Sequence, residues 1–141
     1  MAYTAPTDDI LRKLLTDSRT IAIVGASGNP DRAAYGIMQK LQSVGYQVIP
    51  VNPREAEILG EPSFPSLRDI TVPVDIVVVF RRPEDTPAIA DEAAAIGAKA
   101  LWLQSEIYSE EAAARAAAAG LIVVMDTCIG ATHSMLRVSK K

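Results

Sequence analysis

Ile21-Ala-Ile-Val-Gly-Ala-Ser-Gly-Asn-Pro-Asp-Arg32 is the stretch on which the fold turns. A β-branched run ends in a Gly/Ser turn, and a helix-start signal follows at once. Such a junction leaves unpaired N–H groups and the positive end of a helix dipole beyond the strand, where a phosphate can be held. Gly25 and Gly28 are equally consistent with a plain tight turn, so the ligand has to be read from the rest of the chain.

Upstream, Thr7 is a helix cap, Asp8 and Asp9 occupy the first turn, and Ile10, Leu11, Leu14 and Leu15 give one apolar face at helical spacing. Downstream, Ala34, Ile37, Met38, Leu41 and Val44 mark a second amphipathic helix stopped by Gly45, and a strand follows from Tyr46 to Val51. Residues 54–73 are irregular, with a short edge strand near Ser63-Phe64 and a helical turn from Ser66. The run Val74 to Phe80 is almost continuously apolar, as in a strand covered on both faces. A helix over 83–96, a strand over 99–103, an alanine-rich helix capped by Ser109 and a strand over 121–125 complete the pattern. The tail from Asp126 has no assigned structure. Strands separated by helices are βαβ units with right-handed crossovers. The expectation is an α/β, three-layer, doubly wound parallel sheet of about five strands, forming a single domain over 1–141.

The chain has 141 residues, 49% hydrophobic and 22% charged, with a formal net charge of −3. That charge argues against general nucleic-acid binding, which needs a basic surface. No apolar run approaches the roughly 18 residues of a membrane span, and the start lacks a secretory pattern. One cysteine, Cys128, permits no internal disulfide and fits a reducing cytoplasm.

In this fold ligands sit beyond the carboxyl ends of the strands. Four strand ends therefore supply candidates: 25–32, 52–54, 80–83 and 104–108. The NAD pattern needs G-x-G-x-x-G and an acid after the second strand for the ribose 2′-hydroxyl. Here Gly25-Ala-Ser-Gly28 falls short of it, and Asn52-Pro53-Arg54 stands where the acid belongs, with Glu55 beyond the arginine. A cation there suits a phosphate on the ribose. Arg81-Arg82 reads either as a solvated rim or as further phosphate contacts. Trp102 reads as core, and Gln104 offers an amide at a strand end. Catalytic equipment is thin. Cys128 and His133 are five apart without a third activating group, one Cys and one His fall short of a metal set, and Ser27 lacks the G-x-S-x-G elbow.

Val24-Gly-Ala-Ser27, Tyr35-Gly36, the run from Gly45 to Pro53, Val79-Phe-Arg-Arg82, Gly97-Ala-Lys99, Trp102-Leu-Gln104 and Val123-Val-Met-Asp126 with Cys128 occur in this order. Over residues 10–136 the chain resembles the small stand-alone CoA-binding proteins of bacteria and archaea, relatives of the CoA-binding domain of the succinyl-CoA synthetase alpha subunit. The resemblance implies a Rossmann-like domain that binds coenzyme A or an acyl-CoA without catalysis of its own. Carried over by residue, Gly25, Ala26, Ser27 and Asn29 would meet the pyrophosphate, and Asn52, Pro53 and Arg54 the 3′-phosphate. Phe80, Arg81, Arg82 and Gln104 would line the pantetheine or the phosphates, with Arg32 and Tyr35 completing the set. The chain departs from the family's Trp-Leu-Gln-x-Gly at Ser105-Glu106, which adds size and negative charge beside an anionic ligand. It departs again after Cys128, at Gly130, Thr132 and Met135, and at Thr127 just before it. Two alternatives accompany this reading. One is an NADP-linked oxidoreductase using Arg54. The other is a protein-interaction module with its surface near Glu106, Tyr108 and the C-terminal segment.

Overall fold

The computed structural model describes residues 3–141. Among the described residues, seven strands and five α-helices follow in chain order. They are α1 (Asp8–Asp17), β1 (Thr20–Val24), α2 (Ala33–Ser43), β2 (Gln47–Val51), β3 (Glu57–Ile58), β4 (Glu61–Pro62), β5 (Ile76–Val79), α3 (Thr86–Ala95), β6 (Ala100–Leu103), α4 (Glu110–Ala118), β7 (Ile122–Val124) and α5 (Ile129–Met135). Five strands form one parallel sheet in the order β2-β1-β5-β6-β7. The expected doubly wound sheet is therefore present. Its order reverses beside β1, because the first crossover goes to β2 on one side and the next to β5 on the other. That reversal opens a crevice above the ends of β1 and β5.

Alternation along each strand divides the core into two layers. Ala22, Val24, Val77, Val79, Leu101 and Leu103 face α3 and α4. Ile21, Ile23, Ile76, Val78 and Trp102 face α1, α2 and α5. Trp102 is fully buried, as its place in an apolar strand implies, and its indole N–H donates to the Thr127 carbonyl at 2.8 Å.

The helices begin and end where local chemistry directs. Thr7 Oγ1 accepts from the Ile10 amide at 3.3 Å, and Ser109 Oγ accepts from Ala112 at 3.1 Å. Leu11, Leu14 and Leu15 are buried, but Ile10 is exposed, so the apolar face of α1 is narrower than its spacing suggests. The helix expected from Pro83 starts as a 3₁₀ turn over Pro83–Asp85 before α3 takes over. In the irregular stretch, β3 and β4 form a two-residue antiparallel hairpin, and Phe64 makes one parallel bridge to Val51. The edge strand expected at Ser63-Phe64 is thus a single bridge, because Pro62 and Pro65 flank it and neither can donate to a ladder. The unassigned tail forms α5 and then turns back. Lys141 N donates to Val44 O at 2.9 Å, and its Nζ donates to Thr16 O at 2.7 Å. At the opposite edge the Tyr3 hydroxyl accepts from the Met125 amide, just past β7, at 3.0 Å.

Asp75 ties three elements at the amino ends of the strands. Its Oδ2 accepts from the amides of Arg19 (2.7 Å) and Thr20 (3.0 Å), and Oδ1 lies 3.2 Å from Lys99 Nζ. Burial alone would raise its pKa, but the two amides and the lysine outweigh it and hold the carboxyl below its ordinary value. Because folding lowers the carboxyl's proton affinity, its contribution is full above the unfolded-chain pKa and disappears as pH falls through the folded one. Asp75→Asn should therefore lose about 1–3 kcal/mol at neutral pH, and the difference from the wild type should shrink toward zero below about pH 3, measured by urea denaturation across that range.

Candidate functional site

β1 ends at Val24, and Gly25 must leave the sheet while passing the end of β5. Its φ is +87°, and a Cβ there would overlap the carbonyl oxygen of Phe80. Only glycine meets both demands. The strand ends are held in step by Gly25 N donating to Val51 O (3.1 Å) and Phe80 N donating to Val24 O (2.8 Å).

Side chains from the end of β2 fasten the loop that follows. Asn52 Nδ2 donates to Ala26 O at 2.8 Å and to Glu55 Oε2 at 3.2 Å, while Asn52 Oδ1 accepts from the Arg54 amide at 2.8 Å. Glu55 Oε2 also accepts from the Gly28 amide at 3.0 Å. A Cβ at Gly28 would push the Glu55 carboxylate aside, so the glycine leaves room for this contact. Within the loop, Ser27 Oγ accepts from Asn29 N (3.0 Å) and Asn29 Oδ1 accepts from Asp31 N (2.9 Å). α2 then begins with Arg32 at its cap position and no side-chain cap. Its first amides are left for solvent or a ligand.

Over these strand ends lies a cavity of about 810 Å³. Gly25, Ala26, Ser27, Arg32, Asn52, Pro53, Arg54, Phe80, Arg81 and Arg82 all line it, as the sequence reading expects. Three expected residues do not. Gln104 is buried, and its Oε1 accepts from Ile129 N at 3.0 Å, so its amide serves α5. Asn29 shapes the turn from its exposed outer side, and Tyr35 sits half-buried on α2 beyond the lining. Ala33, Ala34, Val51, Pro83, Ser105, Glu106 and Ile107 complete the walls. The Ser105–Ile107 wall lies within the strand end already singled out, but Ala33 and Ala34 carry no chemical signal.

The lining is strongly asymmetric in charge, with four arginines against the single carboxylate of Glu106. Arg81 and Arg82 share Asp85, at 3.4 and 3.3 Å. The Arg82 hydrogen bond, with the charge of Arg81 added, holds the Asp85 carboxyl below its usual value. Arg32 and Arg54 make no ion pair among the described residues. Cys128 and His133 are elsewhere. His133 is buried edge-on against Tyr46, at the amino end of β2, and burial with Lys40 and Lys141 nearby lowers its pKa. Among the described residues no group of three His, Cys, Asp or Glu is arranged to hold a metal. No helix among them is long and apolar enough to cross a membrane.

A family model described as a CoA binding domain matches residues 19–134. The chain belongs to this family. Bacillus subtilis (strain 168) YneT is 38% identical over 132 residues, which span 94% of this chain and 98% of that protein. A hypothetical protein from Pyrococcus horikoshii OT3 superposes with a TM-score of 0.91 at 39% identity, covering 97% of this chain and 99% of the other. The ADP-forming acetate–CoA ligase of Methanocaldococcus jannaschii is 26% identical over 98 residues, and that match spans 70% of this chain but only 14% of the ligase. The family's relation to such ligases thus runs through one small part of a much longer protein.

The Glu55 brace makes a testable demand on the loop. Glu55→Ala should destabilise the protein by about 1–2 kcal/mol, since it strips a charged acceptor from Gly28 N and Asn52 Nδ2. Amide exchange at Gly28 should accelerate while β1 amides stay protected, as read by NMR hydrogen exchange.

Proposed function

We propose that this cavity binds coenzyme A or an acyl-CoA, and that the chain presents the coenzyme without transforming it. The observation that carries this reading is the end of β2. Arg54 lines the cavity with no ion-pair partner among the described residues. The nearest acid, Glu55, is committed to Gly28 N and Asn52 Nδ2. An acid free to take a ribose diol is therefore missing where an NAD site needs one, and a guanidinium suited to a ribose phosphate stands in its place. That phosphate occurs in both NADP and coenzyme A, and membership of the CoA binding domain family favours coenzyme A.

The remaining lining fits the same ligand. The amides of Ala26 and Ser27 and the uncapped start of α2 are open to a pyrophosphate. Arg32 adds charge beside them. Phe80 and Ile107 supply apolar surface for the pantetheine arm. No histidine, cysteine or lysine lines the cavity, and Ser27 has only the Asn29 amide as a hydrogen-bond partner. These walls are equipped to hold an anionic cofactor and offer no activated nucleophile or base. On this reading the chain performs the coenzyme-holding part of what the named ligases do.

Calorimetric titration with coenzyme A, dephospho-CoA, NADP and NAD tests the reading. Coenzyme A should bind best, and loss of the 3′-phosphate should weaken binding by about tenfold or more. Arg54→Ala should weaken coenzyme A toward the dephospho-CoA value while leaving dephospho-CoA nearly unchanged. Equal binding of the two would remove Arg54 from the site, and a preference for NADP would replace the coenzyme.

A further inference from the structure

Read along the sheet, the cavity has a direction. The strand order places the ends of β2, β1, β5 and β6 side by side. Their lining groups follow as Asn52 to Arg54, Gly25 to Ser27, Phe80 to Arg82, and Ser105 to Ile107. Three strand spacings, about 14 Å in all, separate the first group from the last. The unpaired cations Arg54 and Arg32 lie at the β2–β1 end, and the one carboxylate of the lining lies at the β6 end. If phosphates are held over β2 and β1, an arm crossing β5 leads to Glu106.

Glu106 is fixed in this place. Its backbone adopts φ +70°, unusual for a side chain of this size. Its amide donates to Asp126 Oδ1 at 2.7 Å, and the Asp126 amide returns a bond to Ile107 O at 3.1 Å. Asp126 is itself left-handed, with φ +51°. Two left-handed residues braced against each other hold the backbone of the loop that presents Glu106 at the cavity wall. No cation pairs with the Glu106 carboxylate among the described residues, since Arg81 and Arg82 are turned to Asp85.

We propose that Glu106 makes the cavity discriminate among thioesters, admitting uncharged acyl groups and rejecting those that end in a carboxylate. This rests on the coenzyme A reading and adds the substrate class to it. The mechanism is like-charge repulsion at the distal end of the site, and a small neutral residue at this position would lack it. Two charges meeting at a solvated wall repel by an amount that corresponds to about five- to tenfold in affinity.

Butyryl-CoA and succinyl-CoA form the appropriate pair, because both carry four-carbon acyl groups and only one ends in a carboxylate. Titrated calorimetrically into the wild-type protein, succinyl-CoA should bind about five- to tenfold more weakly, and the gap should narrow as salt is raised. Glu106→Gln and Glu106→Gly should both close the gap, while Glu106→Asp should keep most of it. Equal affinities in the wild type, or an unchanged gap in both neutral variants, would overturn the assignment of Glu106 and leave the coenzyme site standing. If coenzyme A and both thioesters fail to bind, the coenzyme reading itself falls and takes this inference with it.

Discussion

The crowding of Gly25 against the Phe80 carbonyl is the constraint on which the site depends. Two parallel strands end side by side, and the chain of one must turn away within a single residue while the other passes directly beneath it. Any side chain at that point would separate β1 from β5 and widen the junction. With it closed, the loop after β1 and the start of α2 line the crevice. Asn52 and Glu55 then reach across from β2 and fasten the loop from its far side. The cradle is thus assembled by three strand ends, and no one of them encodes it alone.

Much of this was legible in the sequence. The apolar runs gave the five parallel strands, and the glycine turn with Asn52-Pro53-Arg54 marked two of the strand ends that line the cavity. Gln104 shows where legibility stopped. Alternation along β6 puts Gln104 on the same face as Trp102, which is the face covered by α5. Without an expected α5 that face was blank, so a buried structural amide looked like a ligand group. Glu55 was similarly hidden, because its contact with Gly28 spans 27 positions and depends on the path of an irregular loop. Glu106 could be seen as a departure from the family's glycine, but its left-handed backbone could not.

The molecule separates its chemistry from its stability along the strand direction. The amino ends carry Asp75 with its amides and lysine, the Lys141 return and the buried His133 against Tyr46. The carboxyl ends carry the arginines, the uncapped helix start and the left-handed Glu106–Asp126 pair.

The contact of Tyr3 with the Met125 amide bears on more than the last strand's finish. β7 is one of the two edges of the parallel sheet, paired only with β6. Edge amides of this kind are templates for strands of other molecules. The Tyr3 hydroxyl takes one of them, and its ring packs edge-on against Tyr108 at 6.1 Å, so the segment before α1 lies beside the edge. One amide of this edge is thus met within the chain, by a residue outside any helix or strand.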